Sequence, residues 1–137
     1  MKTNIFIEVS TSSPARMKRG YGYVMECAGK TREAFGEIEA TYHEAVLKII
    51  CEALSRYHKK SEITIHNPDA YIANMANHRL QDWEKNNFVS AKEKEVANAA
   101  EWREYARFSK MHEIRIKTEH HEYSEWIKNE IRRRGNV

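Results

Sequence analysis

The sequence has 137 residues, of which 41% are hydrophobic and 31% are charged. These proportions supply apolar material for a core and charge for a solvated surface, which disfavours intrinsic disorder and predicts one domain over residues 1–137. A net charge of +3 is compatible with nucleic-acid contact but does not require it. No apolar run approaches the roughly 20 residues needed to cross a bilayer, so we expect no membrane insertion.

The two cysteines, Cys27 and Cys51, lack Cys-x-x-Cys spacing, and the first residues lack the apolar stretch of a secretory signal. We therefore expect a reduced protein in the cytoplasm. A protein partner is compatible with the sequence, and the oligomeric state is left open by it.

The first part of the chain predicts three strands. Residues 4–9 and 20–27 are rich in β-branched and aromatic side chains, and residues 31–38 follow the turn-like Ala28-Gly29-Lys30. The Ser/Thr/Pro cluster at residues 10–14 ends the first strand. An antiparallel meander of three strands is the expected arrangement.

From Thr41 onward the apolar residues recur at intervals of three and four, which predicts an amphipathic helix extending to about Tyr57. Thr41 and Glu44 form a Thr-x-x-Glu capping box at its start. Residues 62–66 and 114–118 predict the fourth and fifth strands. Further helical segments are predicted at residues 70–75 and around Leu80, Trp83 and Phe88. Another helix is predicted at residues 92–108, with Val96, Ala99, Ala100 and Trp102 buried. The last helix is predicted at residues 123–134, with Trp126, Ile127 and Ile131 buried.

Several separated motifs follow one known pattern. The segment Ile5-Phe6-Ile7-Glu8-Val9-Ser10 is followed by Gly20-Tyr21-Gly22, by a helix start at residues 41–45, and by Trp- and Asn-containing segments within residues 82–102. With the element order βββαβααβα, these motifs resemble the type I ribonuclease H family. The resemblance implies an α/β, ribonuclease H-like fold: a five-stranded mixed sheet, its first three strands antiparallel, with helices on both faces.

The resemblance also implies a function. The family binds RNA–DNA hybrids and hydrolyses the RNA strand with Mg²⁺ or Mn²⁺ held by four carboxylates. Glu8 stands where the first-strand Asp is expected, and Glu44 stands at the second carboxylate. The third position falls at Pro68, beside Asp69, and the fourth falls near Lys128 or Asn129. The resemblance therefore gives Glu8, Glu44 and a displaced Asp69 as the candidate catalytic and metal-binding residues.

Hydrolysis in such a site needs two divalent cations about 4 Å apart. For Mg²⁺, the oxygen ligands must lie about 2.1 Å from the cation. Glu8 is one methylene longer than Asp, and an error of about 1 Å in a catalytic site can cost roughly 100-fold in rate. Lys128 at the fourth position would repel the cations. We expect a divergent member, a pseudoenzyme that binds nucleic acid with weak or no nuclease activity.

Two alternatives stay open. One is an active, metal-dependent endoribonuclease in which Glu8, Glu44 and Asp69 hold the cations. The other is a structural or oligomer-forming domain without nucleic-acid affinity. Glu44 also has a structural interpretation as the last residue of the capping box, whereas a carboxylate in the central strand, such as Glu8, needs a cation or a hydrogen-bonding partner.

Basic residues predict where nucleic acid binds. Three lie in the loop after the first strand. Three lie within residues 85–94, around the segment that corresponds by resemblance to the basic loop, or handle, of ribonucleases H, and in that family both regions face the hybrid. Nearby acidic residues dilute the charge of the handle, which predicts a shallow salt dependence. The candidate nucleic-acid-binding residues are Arg16, Lys18, Arg19, Lys85, Lys92 and Lys94.

Four histidines, His43, His66, His120 and His121, lie near the expected site. Imidazole ligands would suit zinc or manganese. The simpler interpretation is that these histidines bind no metal, because adjacent residues such as His120 and His121 point apart in regular structure.

Overall fold

The structure is a computed structural model that describes residues 1–90 and 92–135. Its strands and helices follow the predicted order, except that the segment around residues 70–88 forms two helices. No helix within the described ranges is long and apolar enough to span a membrane. The strands are β1 Lys2–Val9, β2 Met17–Cys27, β3 Lys30–Ala40, β4 Glu62–His66 and β5 Glu113–Lys117. The helices are α1 Tyr42–Leu54, α2 Ala70–His78, α3 Leu80–Lys85, α4 Ala99–Met111 and α5 Ser124–Arg133.

The five strands form one sheet in the order β3-β2-β1-β4-β5. Strands β1, β2 and β3 pair antiparallel, whereas β4 lies parallel to both β1 and β5. The predicted mixed sheet is therefore confirmed. Because β1 is central, residues at its end can contact both the loop after β4 and the helices that cover the sheet.

The two faces of β1 pack against different helices because successive side chains of a strand point to opposite sides. Ile5 and Ile7 belong to the larger buried cluster, which contains the inner face of α1. Phe6 packs in a smaller cluster with Ile127 and Ile131 of α5. Helices thus cover both faces of the sheet, and the buried positions predicted for Ile127 and Ile131 are confirmed.

The start of α1 has the predicted capping box. The Thr41 hydroxyl accepts the amide hydrogen of Glu44, and the Glu44 carboxylate accepts the amide hydrogen of Thr41, each at 3.3 Å. These bonds satisfy two of the amides that a helix start leaves without partners. The capping role of Glu44 is therefore real.

The prediction for α4 was wrong at its start, since the helix begins at Ala99 rather than near residue 92. Glu93 and Asn98 have φ angles of 61° and 60°, a left-handed conformation that an α-helix cannot include. Ala100, predicted to be buried, is exposed. Trp102 is buried as predicted.

The prediction that Trp126 lies in the core was also wrong, because the residue is 41% exposed. Trp126 directly precedes the buried Ile127, and neighbouring residues on a helix are about 100° apart. The indole ring instead packs edge-on against Phe35 of β3, with the ring centroids 5.9 Å apart.

Candidate functional site

An open cavity of about 670 Å³ lies where the end of β1 meets the starts of α1 and α2. Glu8 and Asp69 both line it, together with His43, His120 and Lys128. Glu44 is not among the described residues that line this cavity. The structure therefore brings two of the three predicted carboxylates to one place and leaves the third beside it.

Glu8 is buried, with 2% of its side chain exposed, and it lies on the face of β1 that α5 covers. One carboxylate oxygen accepts a hydrogen bond from the Ser124 hydroxyl at 2.9 Å and lies 2.9 Å from Nε2 of His121. The other oxygen lies 3.8 Å from the Lys128 ammonium. The expectation that a carboxylate here needs compensation is confirmed, and residues of this chain provide it.

Asp69 is buried at the start of α2, where one oxygen accepts the amide hydrogens of Tyr71 and Ile72. Its other oxygen lies 2.7 Å from Nδ1 of His43. The neighbouring Asn67 accepts the amide hydrogen of Asp69 and donates to a backbone carbonyl of β1. Asp69 is thus fixed as a helix cap paired with an imidazole.

The pKa of the Tyr42 hydroxyl is affected by the two carboxylates that line the cavity. Burial, together with the charges of Asp69 and Glu8 and against the opposing charge of Arg19, raises the pKa of Tyr42 to about 12. Because both carboxylates act on one phenol, their negative potential overlaps within the cavity.

Glu44 is held by positive charges on the outside of α1. Its carboxylate lies 3.0 Å from Arg16 and 3.3 Å from Lys48. Burial acts to raise the pKa of Glu44, but Lys48, the backbone amide of Thr41 and Arg16 together lower it below its usual value.

Sequence reasoning located Lys128 near the fourth carboxylate position but missed Ser124. Lys128 is on α5, faces Glu8 and also lines the cavity. Ser124 is the first residue of α5 and is buried against Glu8. A lone serine at a helix start gives no sequence signal for a contact 116 positions away.

The histidines occupy different environments. The His121 side chain is buried beside Glu8, whereas His120 is exposed and lines the cavity. His66 stacks on Phe6 with ring centroids 4.4 Å apart. Burial, with the positive charges of His121 and Lys117, lowers the pKa of His66.

The predicted nucleic-acid-binding cations divide into three groups. Arg16 and Lys18 form ion pairs with Glu44 and Glu37 on the surface. Arg19 is fully buried, and its guanidinium donates to backbone carbonyls of the β1–β2 loop and of β3. The prediction that Arg19 contacts phosphates is corrected, because these bonds occupy its donors inside the protein. The exposed lysines near the handle are Lys85, Lys92 and Lys94.

The residues of the site do not fit a pair of divalent cations as they are arranged. Glu8 is already compensated by Lys128 and His121, Asp69 caps α2, and Glu44 pairs with cations. Over residues 1–90 and 92–135, no three His, Cys, Asp or Glu side chains are grouped to hold a metal ion. This arrangement also gives no support to the alternative of a histidine-ligated metal.

Comparison with known proteins agrees with this fold. The RNase H family model matches residues 2–129, and the chain therefore belongs to the RNase H family. Ribonuclease H of Campylobacter curvus (strain 525.92) is 29% identical over 96 residues, which cover 69% of this chain and 64% of that protein. Ribonuclease H of Caldicellulosiruptor saccharolyticus is 31% identical over 81 residues, covering 58% of this chain and 56% of the relative. The chain thus spans less than two thirds of the length of these relatives.

Solved structures share the fold. A type 1 RNase H with the type 2 active-site motif superposes with a TM-score of 0.71 at 18% identity, covering 93% of this chain and 69% of the other. The foamy viral protease-reverse transcriptase in complex with RNA/DNA hybrid gives a TM-score of 0.65 at 18% identity, over 85% of this chain and 16% of that one. Members of the RNase H family generally use divalent metals, which makes the compensated carboxylates of this chain a departure.

Proposed function

We propose that this protein is a ribonuclease H-fold module that binds an RNA–DNA hybrid or another duplex with weak or no nuclease activity. Membership of the RNase H family supports the nucleic-acid ligand. The observation that carries the loss of activity is the pairing of Glu8 with Lys128 and His121, where the family mechanism needs a carboxylate open to a metal. A cytoplasmic location and a possible protein partner belong to the same proposal.

The proposed binding surface combines the cavity with the exposed lysines of the handle. Lys85 ends α3, and Lys92 and Lys94 lie in the irregular segment before α4. Phosphate contacts by lysine supply affinity without reading sequence. The protein should therefore bind hybrids of unrelated sequence with similar affinity.

The first test measures binding and cleavage on one substrate. An end-labelled RNA–DNA hybrid is incubated with the protein in Mg²⁺ and separately in Mn²⁺, and products are resolved on a denaturing gel. A native gel at low salt records the complex. The proposal predicts a shifted hybrid with intact strands, while a catalytically active ribonuclease H cleaves the same hybrid as a positive control.

Glu44→Gln is the matched variant for the cleavage assay. Robust cleavage by the wild-type protein that disappears in Glu44→Gln would contradict the proposal and establish a working carboxylate site. The absence of any shifted complex at low salt would instead favour a structural domain without nucleic-acid affinity.

The second candidate function is a metal-dependent ribonuclease H that hydrolyses the RNA strand of hybrids. The observation in its favour is that Glu8 and Asp69 line one cavity and act on the same phenol of Tyr42. This function would require Glu8 to release Lys128 and Asp69 to leave the helix start. Loss of cleavage in both Glu8→Gln and Asp69→Asn, with circular dichroism unchanged, would support it.

A further inference from the structure

The negative charge of Glu8 is compensated by residues of this chain. The buried carboxylate accepts a hydrogen bond from Ser124, lies 2.9 Å from His121, and has the Lys128 ammonium 3.8 Å from its second oxygen. A buried carboxylate is costly unless it is paired or bound to a cation. The Lys128 ammonium can meet this need without any added ion.

The position of Lys128 also affects whether a cation can approach Glu8 from the cavity. One third of its side chain, 33%, is exposed, and the same side chain lines the cavity. A divalent cation bound to Glu8 from the cavity would lie close to this ammonium. Like charges a few ångströms apart repel each other more strongly where water is partly excluded.

The two other candidate carboxylates, Glu44 and Asp69, do not offset this repulsion. Glu44 is held by Arg16 and Lys48, at 3.0 and 3.3 Å. Asp69 accepts two backbone amides and contacts His43. Glu8, Glu44 and Asp69 therefore each have a partner within the chain.

We infer that Lys128 takes the place of a divalent cation at Glu8, so that the protein binds nucleic acid without any divalent ion. The inference rests on the proposed function for its ligand, but its charge argument concerns the free protein. It predicts that removing Lys128 opens the carboxylate to cations. Lys128→Asp both removes the ammonium and adds an oxygen ligand of the kind that Mg²⁺ and Mn²⁺ prefer.

The first experiment uses the protein alone with Mn²⁺ as the probe. Free Mn²⁺ is measured by electron paramagnetic resonance during titration of wild type, Glu8→Gln, Lys128→Asp and Arg132→Asp. The last variant is the matched control, since it makes the same charge change on α5 at an exposed residue. We expect no Glu8-dependent binding in the wild type and Mn²⁺ affinity at least about tenfold higher in Lys128→Asp than in Arg132→Asp.

Two results would overturn the inference. One is saturable Mn²⁺ binding by the wild type that Glu8→Gln abolishes. The other is a folded Lys128→Asp that binds Mn²⁺ no better than Arg132→Asp. If Lys128→Asp does not fold, Lys128→Gln is titrated in its place. The comparison of wild type with Glu8→Gln tests the inference independently of both Lys128 variants.

The second experiment measures the affinity for an RNA–DNA hybrid by fluorescence anisotropy in Mg²⁺ and in EDTA, at matched ionic strength. Equal affinities support the inference, and a loss of tenfold or more in EDTA overturns it. The absence of binding in both buffers would contradict the proposed function, while the Mn²⁺ titration of the free protein would still test the role of Lys128.

Discussion

The hydroxyl of Ser124 donates a hydrogen bond to the buried carboxylate of Glu8 at 2.9 Å, which joins the first turn of α5 to the central strand. The same hydroxyl oxygen accepts the amide hydrogen of His121 at 3.0 Å. Ser124 therefore links the loop before α5, the helix and the sheet.

Ser124→Ala should lower the free energy of unfolding by about 1–3 kcal/mol, because hydrogen bonds to charged groups contribute most and the Glu8 carboxylate stays buried. Urea denaturation at pH 7 measures the change. Ser109→Ala is the control, since the Ser109 hydroxyl bonds only a carbonyl of its own helix among the contacts described, and it should change stability by less than about 0.5 kcal/mol. Equal effects of the two substitutions would contradict the role of Ser124.

Arg19 should be required for stability rather than for nucleic-acid affinity. Its guanidinium donates to the carbonyls of Thr11, Ser13, Ala15 and Ala40. A lysine cannot reproduce this planar set of donors, so Arg19→Lys should destabilise the fold by about 2–4 kcal/mol. Urea denaturation tests the loss.

The control for Arg19→Lys is Lys18→Met, which removes an exposed cation one position earlier. An exposed ion pair contributes little, so this change should lie within about 1 kcal/mol of wild type. Hybrid affinity that falls strongly in a fully folded Arg19→Lys protein would show that Arg19 contacts phosphate after all.

Stability should fall on acidification through the ordinary histidine range. Burial lowers the pKa of His112 below 6.5, and burial with the charges of His121 and Lys117 lowers that of His66. Between these lowered pKa values and about pH 6.5, the unfolded chain binds more protons than the folded protein. Protonation of the two histidines therefore does not reduce the free energy of unfolding well above pH 6.5. Stability is lost progressively as the pH falls from 6.5 toward the lowered pKa values.

His112→Asn should reduce this acid dependence. Nδ1 of His112 accepts the amide hydrogen of Ser61 at 3.1 Å, and the asparagine oxygen can take over that bond without titrating. Urea midpoints at pH 7.5 and 5.0 measure the effect, with His58→Asn as the control at an exposed histidine. If the urea midpoints at pH 7.5 and 5.0 differ as much in His112→Asn as in the wild type, the prediction is wrong.

Replacing the handle lysines together should weaken hybrid binding and flatten its salt dependence. In a Lys85→Ala, Lys92→Ala, Lys94→Ala protein, each lost phosphate contact lowers the slope of log K against log salt by about 0.9. Anisotropy titrations over a range of salt concentrations give the slope. Unchanged affinity would remove the handle from the proposed surface.

A second triple variant controls for net charge. Lys30, Lys59 and Lys60 are exposed and lie at the edge of the sheet where β1 and β4 begin, opposite the cavity: Lys30 begins β3, and Lys59 and Lys60 precede β4. Their replacement by alanine removes the same charge and should leave the salt slope near that of wild type. Equal losses in the two triple variants would indicate nonspecific attraction only.

Much of the fold could be predicted because its signals are local. The β-branched and aromatic residues of segment 4–9, the period of α1 and the capping box of Thr41 and Glu44 are each read from positions close together in the sequence. The start of α4 and the exposure of Trp126 were missed. Left-handed residues such as Asn98 and the choice of which face a helix buries depend on contacts outside the segment.

Periodicity predicted most of the order of elements, and the resemblance to the type I ribonuclease H family implied the mixed sheet and the acidic residue at the end of β1, because such signals lie within short stretches of the chain. The partners of that acidic residue could be found only from the folded protein. Ser124 and Lys128 reach Glu8 from the far end of the chain because α5 folds over the face of β1 that Glu8 occupies. Electrostatic compensation depends on distance in space, and separation along the chain does not predict it.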